Sequence, residues 1–525
     1  MAGDTRTLDG WDPECAGCWQ VGGQRTARRN LLISMSCLLL GFATWMVWSV
    51  LIVQMEQVGF PFSKAQLYQL PAIAGLSGAM MRLSHSFLLG IAGGRLVMAA
   101  STLLLAVPAL LTGLALRDRE TPYTTFCILA MLSGQGGAVF ASSMANISGF
   151  FPKRMQGMAL GVNAGIGNLG VSLMQFTVPV VAGCAVFGAL TGPPLPLVMP
   201  AGGRAIGSPL WIQNSTLMWV PLCLVSGLIA WFGACSLPPH TRTPLLPAFL
   251  RATWVVLISL AAAGAGLYLL LGFGLHWLVV LPLATLLALL AMRYGTPAAV
   301  RASLQRQFSI FPNRHTWIMT LVYTMSFGSF IGFSASFPKF IQDIFSTGAD
   351  GAPLAGAPNP FHYAWIGPLV GSLMRAVGGW LSDRVGGARV TFAAGLVMLA
   401  AVVALAIMLP VALTSSDRLA WWPPFLATVI VLFICSGLSM GANFRIVPFI
   451  VPANLAGAVL GWISAIAAYG AFVIPKILGQ HIAAHTPERA FFGFAAYYGI
   501  CLGLVWWFYL RHGGVERVDR QPSPA

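Results

Sequence analysis

The chain has 525 residues, of which 57% are hydrophobic and only 8% charged, and its mean hydropathy is +0.79. A soluble globular protein carries about 25% charged residues, so most of this surface must face lipid. The net charge of +15 would suit a nucleic-acid binder, but its placement along the chain excludes that class.

In chain order, residues 1–29 form a polar tail holding Cys15-Ala-Gly-Cys18, a redox or metal spacing with no second pair and no nearby His. Arg28-Arg29 before an apolar run has the form of a twin-arginine export signal, but that run is a full span without a clear cleavage site. A retained first helix is therefore expected. Fourteen apolar spans follow, most near or above the roughly 20 residues that cross the hydrocarbon core as a helix. Helices are the expected form because each satisfies its own backbone in lipid. Six spans occupy 30–237. The stretch 238–315 is a linker around two more, at about 252–292, which hold no Asp, Glu, Lys or Arg and divide near Gly272–Gly274. Arg251 and Arg293 bracket this extra hairpin. Six further spans occupy 316–511, and 512–525 is a second polar tail. With both termini inside, eighteen Lys/Arg fall in inner segments and eight in outer ones, whereas Asp/Glu divide equally. That is the positive-inside pattern, so the basic charge is a topology signal and no nucleic-acid partner is expected.

The chain also repeats itself. Gly78-Ala-Met-Met-Arg82 matches Gly371-Ser-Leu-Met-Arg375 at an offset of 293, and each Arg is followed by a basic loop, at Gly93-Gly94-Arg95 and Gly386-Gly387-Ala388-Arg389. Gly161, Gly165 and Pro179 fall opposite Gly457, Gly461 and Pro475 at 296. Parallel repeats of this kind build transporters whose substrate site lies between the halves near the midplane. The fold class predicted is an all-α polytopic membrane protein of two six-helix bundles with an extra two-helix hairpin between them, fourteen transmembrane helices in all.

Arg82 and Arg375 sit mid-helix, where an Arg costs at least about 2.5–3.5 kcal/mol. No Asp or Glu falls within the expected spans to neutralise them, with Glu56, Asp343 and Asp383 all at ends or loops. The economical partner is an anionic substrate, for which the planar guanidinium fork is well shaped. Phe42, Phe140, Tyr323 and Phe327 recur in spans expected to line a cavity; by themselves such aromatics are more often packing. Gly165-Ile-Gly-Asn168-Leu-Gly170 satisfies G-x-G-x-x-G but follows no strand and has no acidic residue downstream, so it is no dinucleotide site. Its glycines permit close helix packing, and Asn163 and Asn168 either bond a neighbouring helix or donate to a substrate.

Gly379-Trp-Leu-Ser-Asp383-Arg384-Val-Gly-Gly-Ala-Arg389 resembles the inner-loop signature of the major facilitator superfamily, in which Asp383, Arg384 and Arg389 have a conformational role. Ala159-Leu-Gly-Val-Asn163-Ala-Gly-Ile-Gly-Asn168-Leu-Gly170 with Pro179 resembles the nitrate signature of the nitrate/nitrite porter (NarK-type) family, and Gly461 to Pro475-Lys476 its second copy. Phe327-Gly-Ser-Phe330-Ile-Gly-Phe-Ser-Ala335 and Phe140-Ala-Ser-Ser-Met-Ala-Asn146 are similar too, so the resemblance covers about 25–237 and 315–511. It implies that Arg82 and Arg375 clamp the anion, that Phe42, Phe140, Tyr323 and Phe327 enclose it, and that Asn168 belongs to the signature helix. Three features depart from the family pattern: the hairpin, His85 where many relatives have Tyr, and Arg445 where relatives have an uncharged polar residue. His85, Asn163 and Arg445 are candidates for coupling or the pathway; the bland alternative for Arg445 is an inner helix end.

The function expected is nitrate and nitrite transport across a prokaryotic cytoplasmic membrane by alternating access, as antiport. The alternatives are proton-coupled nitrate symport through His85 and an anion channel. An enzyme is not expected, since the spans hold no cluster of acids, bases or metal ligands. No cofactor or metal is implied, the partners are small inorganic anions and lipid, and a monomer with both termini cytoplasmic is anticipated.

Overall fold

The structure is a computed structural model that describes residues 7–511 apart from 202, 238–243, 298–300, 302–304, 306, 307, 349–353 and 452. The second polar tail, 512–525, and parts of the linker 238–315 lie outside the described residues.

Helix formation follows the apolar runs. The first rod is already helical from Ala16, upstream of the expected start at residue 30, and continues as α1 (Gln24–Met46) and α2 (Trp48–Gln57). Trp19 and Ala27 are buried against Ile147, Phe150 and Phe151, which explains the earlier start: part of the tail has its own apolar contacts. α3 (Lys64–Ala115) begins in a reciprocal cap between Ser63 and Gln66. α4 (Tyr123–Ser133), α5 (Gln135–Phe150), α6 (Lys153–Ala182) and α7 (Trp219–Gly233) complete the first half. α8 (Leu245–Leu271) and α9 (Trp277–Gly295) form the hairpin. The second half holds α10 (Arg314–Tyr323), α11 (Ser329–Ile341), α12 (Ile366–Val385), α13 (Gly387–Thr414) and α14 (Trp422–Ile450). α15 (Ala453–Ala467), α16 (Gly470–Ala483) and α17 (Pro487–Val505) end it.

Among the described residues twelve helices are long and apolar enough to cross a membrane, against fourteen spans expected. Two local features account for the difference. Gly93, at φ 73°, breaks the 52-residue α3 into limbs 64–92 and 94–115. Helix α12 is twenty residues long but carries Arg375, Asp383 and Arg384, which leave it too polar to count among the twelve. Gly386, 293 positions after Gly93, makes the equivalent turn at φ 95°. Positive φ is accessible to glycine without a Cβ clash, so one residue type recurs at both corners.

Each half packs around its own arginine helix, α3 against α5 and α7, and α12 against α14. The halves meet along α3–α16 and α6–α12. At the first seam the backbones touch: a Cβ on Gly75 would lie 2.3 Å from the Ala471 carbonyl carbon. One face of the molecule carries the chain start, where the Leu8 amide donates to the Ser236 carbonyl and Trp11 Nε1 to that of Gly149. On the opposite face the halves are tied together. Ser172 Oγ donates to the Trp365 carbonyl (2.8 Å) and Gln175 Nε2 to that of Ser334 (2.8 Å). Lys339 Nζ lies 2.6 Å from Glu56 Oε2 and 2.5 Å from Asp343 Oδ1, and Lys64 Nζ lies 3.4 Å from the same Asp343 oxygen. The loop 183–213, with a two-residue ribbon pairing Leu195 and Leu210, covers this tied face. On the terminal face, by contrast, Cβ atoms on Gly157, Gly161 and Gly457 would meet nothing within 4 Å.

One expectation needs correction. Asp343, expected at a span end or in a loop, instead lies in a helical rod that runs from Arg314 to Ser346, with Lys339 and Asp343 buried inside it. The charges escaped the hydropathy reading because they neutralise one another within the protein.

Candidate functional site

The two arginine helices deliver their side chains to a common place. Arg82 is wholly buried and Arg375 nearly so. The Arg82 guanidinium carbon lies 4.8 Å from the Phe140 ring centre and that of Arg375 5.9 Å from the same ring. The two charges are therefore within about 11 Å of each other, one from each half. Around Arg82 stand Phe327 (5.0 Å), Trp45 (5.4 Å) and Phe42 (5.8 Å). Around Arg375 stand Phe444 (4.7 Å) and the Tyr323 hydroxyl, 3.2 Å from Nη2. Phe140 and Phe327 stack across the seam at 6.1 Å, and Tyr323 continues the stack onto Phe327.

The local sequence builds this cage twice. Phe42 and Trp45 lie on one face of the first rod, and Phe327 and Phe330 lie 285 positions later in the same i, i+3 relation. A Cβ on Gly78 would sit 2.8 Å from the Trp45 ring and one on Gly371 2.9 Å from the Phe330 ring. The glycine four residues before each arginine thus makes room for an aromatic wall.

Hydrogen bonding leaves part of the donor set free. Arg82 Nε donates to the Gly137 carbonyl (2.7 Å), and Nη1 crosses to the Ser464 carbonyl of the other half (2.9 Å). Arg82 Nη2 is buried without a partner, as are both amide atoms of Asn168. Asn168 lies between Gly165, near the Ser372 carbonyl, and Ser172, bonded to Trp365. The i, i+3, i+7 spacing turns it toward α12, the helix of Arg375. The neighbours described for the two arginines are aromatic faces, carbonyl oxygens, a phenol and the Met440 sulfur, none of them a carboxylate. Such a site offers fixed positive charge and planar donors to a small flat anion.

Of the residues expected at the site, Arg82, Arg375, Phe42, Phe140, Tyr323 and Phe327 come together. His85 does not join them: it is bonded between Ser142 Oγ (3.1 Å) and Gln135 Nε2 (3.2 Å) on α5. Ser142 donates onward to Val139, so a neutral ring protonated at Nδ1 satisfies both contacts. Asn163 donates to Ser143 within the first half. Arg445 pairs with Asp383 at 3.0 Å in an exposed position, which is the helix-end alternative. Arg384 covers Trp380, and Arg389 reaches back to the Val385 carbonyl. Of the signature glycines, Gly167 abuts Leu38 and Gly170 the Leu39 carbonyl, as close packing requires.

Trp45, Phe444 and Ser464 were not anticipated. Trp45 could have been found from its i+3 relation to Phe42, and Phe444 from its place beside Arg445. The Ser464 contribution is a backbone carbonyl, for which no side-chain pattern exists.

The chain resembles solved major facilitator carriers over nearly its whole length. A bacterial homologue of the human lysosomal transporter Spinster, in an inward-facing unoccupied conformation, has a TM-score of 0.57 at 14% identity and covers 95% of this chain and 99% of its own. A peptide transporter of the POT group solved with sulfate matches with the same score, identity and coverage. The protein thus has the polytopic all-α fold of these carriers. No family profile matches it. Its sequence is 36% identical over 504 residues to a probable nitrate/nitrite antiporter, NarK2, of Thermus thermophilus, covering 96% of each chain. It is 32% identical over 526 aligned residues to the nitrate/nitrite transporter NarU of Escherichia coli, again covering 96% of each. The chain belongs to the nitrate/nitrite transporter family.

Proposed function

We propose that the protein exchanges nitrate and nitrite across the cytoplasmic membrane by alternating access of a single site between Arg82 and Arg375. The observation that carries this reading is the pair of buried guanidinium groups, one per half, with an unpartnered Nη2 and no carboxylate among their described neighbours. At a separation of no more than about 11 Å and an effective dielectric of about 20 their repulsion is at least about 1.5 kcal/mol. A bound monoanion offsets it, so the loaded carrier changes state about tenfold more readily than the unloaded one and exchange is favoured over one-way transport. The charge bias supports a cytoplasmic position for the termini and the open face, with the Lys339 cluster outside. In this reading the halves are 30–237 and 316–511, each rocking as a body about the site, and the monomer is the working unit. The domain division and the substrate roles of Phe42, Phe140, Tyr323, Phe327 and Asn168 are part of the same proposal.

His85, held by Ser142 and Gln135 apart from the two arginines, speaks against the rival proton symport. Proteoliposomes decide between them. Labelled nitrate uptake should be strongly stimulated by nitrite inside and indifferent to a pH gradient. Uptake equal with and without internal nitrite, and driven by acid outside, would establish symport instead.

A further inference from the structure

The hairpin α8–α9 has no part in the site just described, yet it touches both halves. α8 lies along α3: Gly266 sits beside Ala284 of α9 and near Leu76, and Gly264 faces Met131 of α4. Val255, Ala262, Ala263 and Leu270 are buried in this seat, so the hairpin is attached to the first half. Its contact with the second half is polar. Thr285 Oγ1 of α9 lies 2.7 Å from the Tyr469 hydroxyl, both buried. Tyr469 occupies the two-residue break between α15 and α16, and its hydroxyl also lies against Met80 of the first half. Thr285 Oγ1 reaches the Leu281 carbonyl as well (2.8 Å). Two hydroxyl protons thus serve a group of three acceptors, placed two residues before Arg82 on one side and five residues after Ser464 on the other.

We propose that the hairpin is a working part of the carrier: seated on the first half, it grips the α15–α16 break of the second through Thr285 and Tyr469, and so holds the state in which Arg82 reaches the Ser464 carbonyl. Thr285 and Tyr469 are positioning residues, acting on the site through α15. The argument rests on geometry. A hydrogen bond tolerates only a few tenths of an ångström before it is lost, whereas closure between domains shifts packed elements by more than that. A bond from a helix carried by one half to a hinge in the other cannot persist through rocking. It therefore stabilises only the state seen here, in which the Lys339 face is closed and the terminal face open.

The inference rests on alternating access, and its test separates the two. In the full chain in liposomes, single reporter cysteines are placed at Gly161, beside open space on the terminal face, and at Ser172, within the tied face. Labelling by a membrane-impermeant thiol reagent is then measured for each, in a background free of other accessible cysteines. Thr285→Val and Tyr469→Phe should each shift the Ser172 to Gly161 labelling ratio toward Ser172 by about fivefold, the equivalent of one hydrogen bond of about 1 kcal/mol. Thr285→Ser, which keeps the hydroxyl, should restore the ratio. An unchanged ratio in both hydroxyl-free variants, or Thr285→Ser behaving as Thr285→Val, overturns the proposal. Nitrate–nitrite counterflow is measured on the same vesicles. Its absence in the unmodified chain, with the ratio still responding, would defeat the exchange reading while leaving the grip intact.

Discussion

At the residue scale the site depends on two kinds of group, forked cations and the aromatic faces that hold them. Lysine keeps the charge of arginine but loses the second donor and the planar fork. Arg82→Lys and Arg375→Lys should each lower nitrate–nitrite counterflow by roughly 10- to 100-fold, the worth of one or two charge-assisted hydrogen bonds of about 1.5–3 kcal/mol. Counterflow of labelled nitrate in proteoliposomes checks this, and flux within twofold of the unmodified protein would reject the clamp. Among the described residues the Phe140 ring lies within 6 Å of both guanidinium groups, whereas the Phe42 ring lies against Arg82, at 5.8 Å. Phe140→Ala should therefore raise the KM for nitrate more than Phe42→Ala does, by about tenfold against about threefold, given about 0.5–2 kcal/mol per cation–π contact. The reverse order in transport kinetics would mean that Phe140 is not shared.

At the element scale the closed face is held by an ion cluster and a close backbone contact, beside the Ser172 and Gln175 hydrogen bonds. Lys339 is completely buried between Glu56 of the other half and Asp343 of its own. Removing one member of such a cluster leaves uncompensated charge, which costs about 3 kcal/mol even at the low end. The low end applies because Glu56 is partly exposed. Lys339→Met should lower the thermal unfolding temperature of the purified protein, and the triple replacement with Glu56→Gln and Asp343→Asn should recover most of the loss. A Lys339→Met protein as stable as the parent would show that the cluster holds nothing. Gly75 tests the other contact. A leucine there would overlap the Ala471 backbone, so Gly75→Leu should wedge α3 from α16 and raise thiol labelling from the Lys339 face severalfold. Unaltered labelling would show that the seam opens elsewhere.

At the scale of the whole molecule, exchange is a property of two charges on separate moving bodies. If the unloaded site must pass through a state in which about 1.5 kcal/mol of repulsion is unrelieved, internal anion should speed nitrate entry about tenfold. Initial rates in vesicles preloaded with nitrite or with an inert anion measure this. Equal rates would mean that the positive charges are compensated by something other than substrate. The same division into two bodies explains why the chain could be read so far without coordinates. The repeat offset of 293 joins Arg82 to Arg375 and also Gly93 to Gly386, so charge and corner recur together in both halves.

What the sequence determined by itself was whatever depends on composition and period: membrane embedding, the two-bundle repeat and the two arginines, whereas a site role for Phe42, Phe140, Tyr323 and Phe327 came only from the resemblance to the family. Lipid accepts apolar helices and little else, so those signals are strong and local. The tertiary structure alone decided which helices touch. It placed Phe140 near both cations, made the Ser464 carbonyl a partner of Arg82, and turned Asp343 from a loop residue into part of a buried cluster. It also set the hairpin against Tyr469, 184 positions beyond Thr285. These pairings join groups distant in the chain, and the Ser464 partner is main-chain. A hydropathy or spacing pattern cannot record them, because such a pattern describes a residue's neighbours along the chain and not those across the seam between two halves.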